Sequence, residues 1–150
     1  MESFLKLLHQ IIQYGTTHVV QVNNIVSLKK SLGDLYALYL NLNSNFDEHL
    51  YQEVQRLDYA EVYAQVKVNF PRFGDYYQLS ELLKPEPTPE VVTADSLDDL
   101  TDLIIDLSEV AWRLENTSLN DGLWYFNTLM KIHSEAHVLN LLTYLKALES

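Results

Sequence analysis

Two histidines four residues apart, His133 and His137, are the side chains best spaced for chemistry. On a helix an i, i+4 pair sets both imidazoles on one face about one turn apart. That is how a helix offers two nitrogens to a metal. The same face carries Leu123, Phe126, Met130, Leu141, Tyr144 and Leu148, so both rings are expected to point inward. An inward imidazole must find a hydrogen-bond partner. Two readings follow: a metal or proton-transfer site inside a helical bundle, or core histidines bonded to a carboxylate, a tyrosine or a backbone carbonyl. Two histidines complete no metal site, and no Glu-x-x-His pair stands elsewhere, so the second reading is preferred.

The second constellation is acidic. Asp98, Asp102 and Asp106 succeed one another at i, i+4, with Asp99 beside them, a row of the kind that binds divalent cations through oxygen. At about 100° per residue this row lies almost opposite the apolar seam Leu97, Leu100, Ile104, Leu107, Ala111 and Leu114. A solvated acidic face is therefore expected, open to a cation or a basic partner. Asp95, Asp98 and Asp99 also suit the first turns of a helix, where its dipole favours negative charge. Between Pro85 and Trp112 stand eight acidic residues and no basic one, a run that calls for compensation. No Gly-rich phosphate loop, Ser-His-Asp ordering or nucleophile elbow occurs. Asp98-Asp99-x-x-Asp102 is similar to the aspartate motif of helical prenyl-transferring enzymes, but the chain is too short for that fold and lacks the second motif.

Among the ten tyrosines, Tyr36, Tyr39, Tyr63 and Tyr144 fall on inner faces, where a phenol can bond a buried acid or histidine. Trp112 and Trp124 lie off their seams and meet other helices or form an exposed patch.

The elements that must position these groups read as an all-α bundle of about five helices in a single domain spanning 1–150. The first helix carries Phe4, Leu7, Leu8, Ile11 and Ile12, and the periodicity runs on through Val19, Val22 and Ile25. Gly15 within it is either a close-packing point or a break. A second helix starts near Ser27 and turns Leu28, Leu32, Leu35, Tyr36, Tyr39 and Leu42 inward. Residues 46–57 suggest a short helix. Asp58 caps another, with Glu61 three residues on, and Pro71 stops it. Prolines 85, 87 and 89 stiffen an internal connector over 84–92. Thr93 or Asp95 caps the helix of Leu97–Leu114, and Asn120 or Asp121 starts that of Leu123–Leu148. A short turn between those last two long helices implies that they pack antiparallel.

Composition narrows the partners. The net charge of −11 leaves no basic stripe for nucleic acid or an anionic membrane surface, and suits a basic protein or a bound cation. There is no cysteine, which excludes disulfides, zinc fingers and thiol catalysis. No apolar run approaches the ~20 residues of a membrane span. The start, Met1-Glu2-Ser3-Phe4-Leu5-Lys6, does not read as a signal peptide, so a cytoplasmic location is expected. A homo-oligomer is compatible with all of this.

The C-terminal half resembles the uncharacterised bacterial domain-of-unknown-function 5063 proteins. Asp95–Leu103, Asp106-Leu107, Trp112–Glu115, Leu123–Phe126, His133 and His137 carry the resemblance, and Phe70–Tyr76 is similar to a preceding stretch. That family tends to place an aromatic and a glycine between its histidines, where this chain has Ser134-Glu135-Ala136. The resemblance implies a helical domain and no particular activity. The preferred function is thus a non-enzymatic interaction domain, with Asp98, Asp102 and Asp106 as its acidic face and no cofactor. The alternative is a metal-dependent, hydrolase-like enzyme that uses a divalent ion on His133, His137 and a carboxylate.

Overall fold

A computed structural model describes residues 1–20 and 22–149. Helices α1 (Glu2–Thr16), α2 (Asn24–Asn41) and α3 (Tyr59–Asn69) are followed by strands β1 (Asp75–Leu79) and β2 (Val91–Asp95). Then come α4 (Ser96–Asn116), α5 (Leu119–Leu129), a five-residue π-helical segment (Met130–Ser134) and α6 (Glu135–Leu148). The protein is mostly helical, but the ribbon corrects the purely α expectation. The strands pair antiparallel, Asp75 opposite Asp95 and Leu79 opposite Val91. Val91 and Val92, which read as connector, are β-branched residues that suit a strand. The proline-rich stretch is the exposed loop that joins the two strands.

Short polar side chains begin α2, α3, α4 and α5, each accepting a backbone N–H that has no partner within its own helix. Asp58 accepts from Glu61 N and Asp95 from Leu97 N, as their spacing indicated. Asn23 accepts from Val26 N, which starts α2 earlier than Ser27. Ser118 accepts from Asp121 N, which starts α5 ahead of Asn120. The expected helical run through Val19 to Val22 does not form: α1 ends at Thr16, and Gln21 lies outside the described residues. A buried Asn69 holds the chain there, donating to Tyr14 O and Thr17 O and accepting from Val19 N. Residues 46–57 form no helix either. Their polar groups bond other elements instead: Ser118 donates to Asp47, and Arg56 donates to Asp106 and Glu109 on α4.

Helix α4 runs through the middle, touching α1, α3, α5 and α6. Its seam residues Leu97, Leu100, Ile104, Leu107 and Ala111 are buried in one continuous core with Leu8, Ile11, Val66, Phe126 and Leu141. Gly15 is a close-packing point: a Cβ there would stand 2.7 Å from Val62 Cγ1 and 2.9 Å from Ile104 Cγ2. Among the described residues no helix is long and apolar enough to cross a membrane.

Two glycine substitutions separate packing from propensity. Gly33→Ala on α2 meets no atom within 4 Å and should stabilise the fold by about 1 kcal/mol through helix propensity. Gly15→Ala makes the same gain but intrudes on two β-branched side chains that cannot swing aside, and should lose about 1–3 kcal/mol through overpacking. Urea titration of both variants should therefore move the midpoint in opposite directions. Equal shifts would show that Gly15 does not set the approach of α1 to α4.

Candidate functional site

Helix α4 turns a second face toward the last helix and the segment before α3, and this face is acidic. Asp99 and Asp106 are seven residues apart, about 20° out of phase, so both look the same way. Both are buried. Asp98 and Asp102 sit at the rim of this face, partly buried. The expectation of a solvated row therefore fails at Asp106. A seam marks one neighbour of a helix, and a central helix has neighbours on its opposite side as well.

The two histidines complete the cluster. Asp106 Oδ2 lies 2.8 Å from His133 Nδ1 and accepts the Ser134 hydroxyl at 2.8 Å, while its Oδ1 accepts from Arg56 Nη2 at 2.5 Å. Asp99 Oδ1 lies 2.7 Å from His137 Nδ1, and its Oδ2 accepts the Tyr76 hydroxyl at 2.5 Å. The rings meet through their other nitrogens, His133 Nε2 being 3.1 Å from His137 Nε2. Asp102 Oδ2 lies 3.6 Å from His137 Nε2. His137 is largely enclosed; His133 is half exposed, short of the burial its seam position implied.

This geometry constrains the protons. An ionised carboxylate only accepts, so each Nδ1 bonded to an aspartate carries the hydrogen. Both Nε2 lone pairs then point at one another, and a cation must lie between them: a proton on one ring, or a metal. Burial disfavours charge on His137, but the bond to Asp99 and the charges of Asp102 and Asp98 prevail and raise its pKa. Burial also opposes the Asp106 charge, yet Arg56, His133 and Ser134 hold its carboxyl below the ordinary range. Asp102 is shifted the other way, upward, by burial and by neighbouring Asp98.

Asp102, His133 and His137 offer one ligand atom each, all within 4.8 Å of one another. Two nitrogens bound tetrahedrally to zinc at ~2.05 Å stand about 3.3 Å apart, close to the gap between the rings. Asp98 stays out of this set, its carboxylate taken by the Tyr59 hydroxyl. Arg56 lies in the stretch whose sequence suggests a short helix, and no local pattern marks it as a partner of α4. The guanidinium also donates to Glu109 Oε2 at 2.5 Å. Glu109 in turn accepts from Arg113, whose other nitrogen donates to Asp121. Tyr76, on β1, was passed over because its stretch of sequence carries no helical phase. The seven-residue step from Asp99 to Asp106 was the legible signal for the buried carboxylates.

No family model, curated protein or solved structure matches the chain.

Replacing Arg56 with Leu tests the ionic frame. It strips the guanidinium from two buried carboxylates, and because Arg56 is itself half exposed the loss should be about 1–3 kcal/mol, below that of a fully enclosed pair. The folded-state pKa of Asp106 lies below its unfolded value. Its stabilising contribution is therefore present above the ordinary carboxylate range and lost as pH falls. The deficit of Arg56→Leu in urea midpoint should be large at about pH 7 and shrink toward about pH 3. A deficit independent of pH would place the contribution of Arg56 in packing, not charge.

Proposed function

We propose that this protein holds one divalent transition-metal ion on Asp102, His133 and His137, and uses it for metal-assisted, hydrolase-like chemistry. The observation that carries this reading is the pair of facing Nε2 atoms, each backed across its ring by a carboxylate. Metal-binding histidines are held in this way: the outer carboxylate fixes the tautomer, orients the ring and strengthens the ligand. Asp99 and Asp106 are the positioning residues. Three protein ligands leave coordination positions open for water and substrate, as catalytic centres require. A bound ion would lower the pKa of its water and polarise a substrate oxygen.

The order of the contacts, Asp99 with His137, Asp106 with His133, Arg113 with Asp121, supports an antiparallel course for α4 and the last helix. That course is what sets two ligands of one helix against the third ligand of the other. The competing reading, an acidic interaction face at Asp98, Asp102 and Asp106, loses support because Asp98 is bonded to Tyr59 and Asp106 to Arg56, His133 and Ser134 within the protein. No observation at this site favours it.

Purified protein should bind about one zinc, cobalt or iron(II) ion per chain in calorimetry, with a rise in melting temperature. Asp102→Ala, His133→Ala and His137→Ala should each abolish binding, and Asp99→Asn should weaken it by about 10–100-fold. Cobalt(II) absorption would report the nitrogen and oxygen ligands directly. A protein free of metal that shows neither heat nor thermal shift with any of these ions would overturn the proposal. The pair would then be a structural clamp that shares a proton.

A further inference from the structure

The ribbon of β1 and β2 carries a second candidate surface, independent of the metal reading. Residues directly opposite one another on an antiparallel pair share a face, and side chains on that face recur every second residue. One face therefore reads, from base to tip, Asp75 with Asp95, Tyr77 with Thr93, and Leu79 with Val91. The loop adds Leu82 and Leu83. Tyr77, Leu82 and Leu83 are 83, 78 and 85% exposed, and Leu79 and Val91 are exposed as well. Apolar groups gathered this way on a solvent face mark an interaction site more often than scattered ones do.

Charge identifies what would cover it. From Asp75 to Asp95 the chain has five acidic residues, Asp75, Glu81, Glu86, Glu90 and Asp95, against one basic residue, Lys84. Asp75 stands directly opposite Asp95, a like-charged cross-strand pair; Asp95 is hydrogen-bonded by Leu97 N and the Tyr63 hydroxyl, neither of which brings a positive charge. The lysines and arginines that form ion pairs among the described residues do so elsewhere, with Asp106, Glu109, Asp121 and Glu149. A second copy of this chain, also at −11, would lay acid on acid. Among the described residues the sheet has two strands, so each has one edge without a strand partner.

We infer that this ribbon docks an extended, basic segment of another protein as an added strand. The occupant carries Lys or Arg against Asp75 and Asp95, with apolar side chains two and four residues along against Tyr77 and the Leu79–Val91 pair. Backbone bonds at the edge supply affinity, and the alternating side chains supply the choice of partner. The basic partner that the composition suits thus meets the ribbon and not the row Asp98, Asp102 and Asp106.

The probe is a capped hexapeptide, Lys-Thr-Val-Thr-Val-Thr, followed by amide NMR shifts and fluorescence anisotropy. Shifts should concentrate on residues 75–79 and 91–95. Asp75→Lys should weaken binding by about tenfold, and exchanging the peptide lysine for glutamate should restore it on that variant. Leu79→Asp should abolish binding. Both positions are exposed: Leu79→Asp should keep its melting temperature, and Asp75→Lys should keep or raise it, since it relieves the like-charged pair with Asp95. Absence of ribbon shifts at millimolar peptide would overturn the inference, as would equal affinity for Asp75→Lys. Light scattering that shows a dimer with the ribbon protected would assign the face to a second copy instead.

Discussion

A carboxylate taken almost wholly out of water has to be neutralised and hydrogen-bonded where it stands, and Asp106 is under that constraint. Its oxygens are served by Arg56 from the segment before α3 and by His133 and Ser134 from the last helix. Two stretches far apart in the chain are thereby fixed against the middle of α4. Two turns earlier Asp99 does the same for Tyr76 of the ribbon and His137. Breaking such a set on one side leaves an uncompensated charge in the core, so the polar contacts make the arrangement specific even where their net stabilisation is small. The bonds that satisfy the two aspartates are also the bonds that orient both imidazoles. Stability and ligand geometry therefore rest on the same atoms.

Charge compensation is uneven along α4. Toward its C-terminal end, Asp106, Glu109 and Asp121 are answered by Arg56 and Arg113, and Arg113 also lies 3.9 Å over the Tyr125 ring. Toward its N-terminal end the carboxylates are answered by phenols: Tyr63 on Asp95, Tyr59 on Asp98, Tyr76 on Asp99. A phenol donates a hydrogen bond but brings no positive charge. The bond to Asp95, with burial and neighbouring acids, pushes the Tyr63 hydroxyl up to about 12, so it stays protonated and goes on donating. Asp99 and Asp102 therefore have a histidine, and no lysine or arginine, as their ion-pair partner among the described residues, and the facing histidine nitrogens lie where their attraction for a cation acts.

What could be read from sequence divides along the same lines. Local rules sufficed for the caps at Asp58 and Asp95 and for the seam of α4, because each depends on residues within one or two turns. The ribbon was missed because its strands are short and Val91-Val92 adjoin three prolines, whose composition reads as loop. Residues 46–57 look helical in outline, yet Phe46 packs on Trp124 and Arg56 reaches α4, contacts that no local pattern announces. The histidine pair was legible as a pair and as partners of carboxylates. Which carboxylates could not be read, since that requires the pairing of helices. Of the row Asp98, Asp102 and Asp106, only Asp102 groups with both histidines among the described residues; Asp106 is bonded to the far side of His133, and Asp98 to Tyr59.

The half-exposed state of His133 has a specific cause in the last helix. Its buried positions run Leu123, Phe126, Met130, Ser134, Val138, Leu141 and Leu145. An ideal α-helix alternates steps of three and four, whereas this series takes three fours in succession between Phe126 and Val138. The π-helical segment Met130–Ser134 supplies the extra residue that such a run requires. With it, Ser134 and Val138 occupy the core line, and His133 and His137 stand one residue to its side. A regular helix would carry the histidines inward, as the sequence pattern suggested, and close their Nε2 atoms off from solvent. The π segment lets His133 and Ser134, adjacent in sequence, share one oxygen of Asp106 while the Nε2 atoms stay at the edge. A site buried for orientation yet open on one side is what an exchangeable ion needs, and the irregular turn is the element that makes both conditions hold.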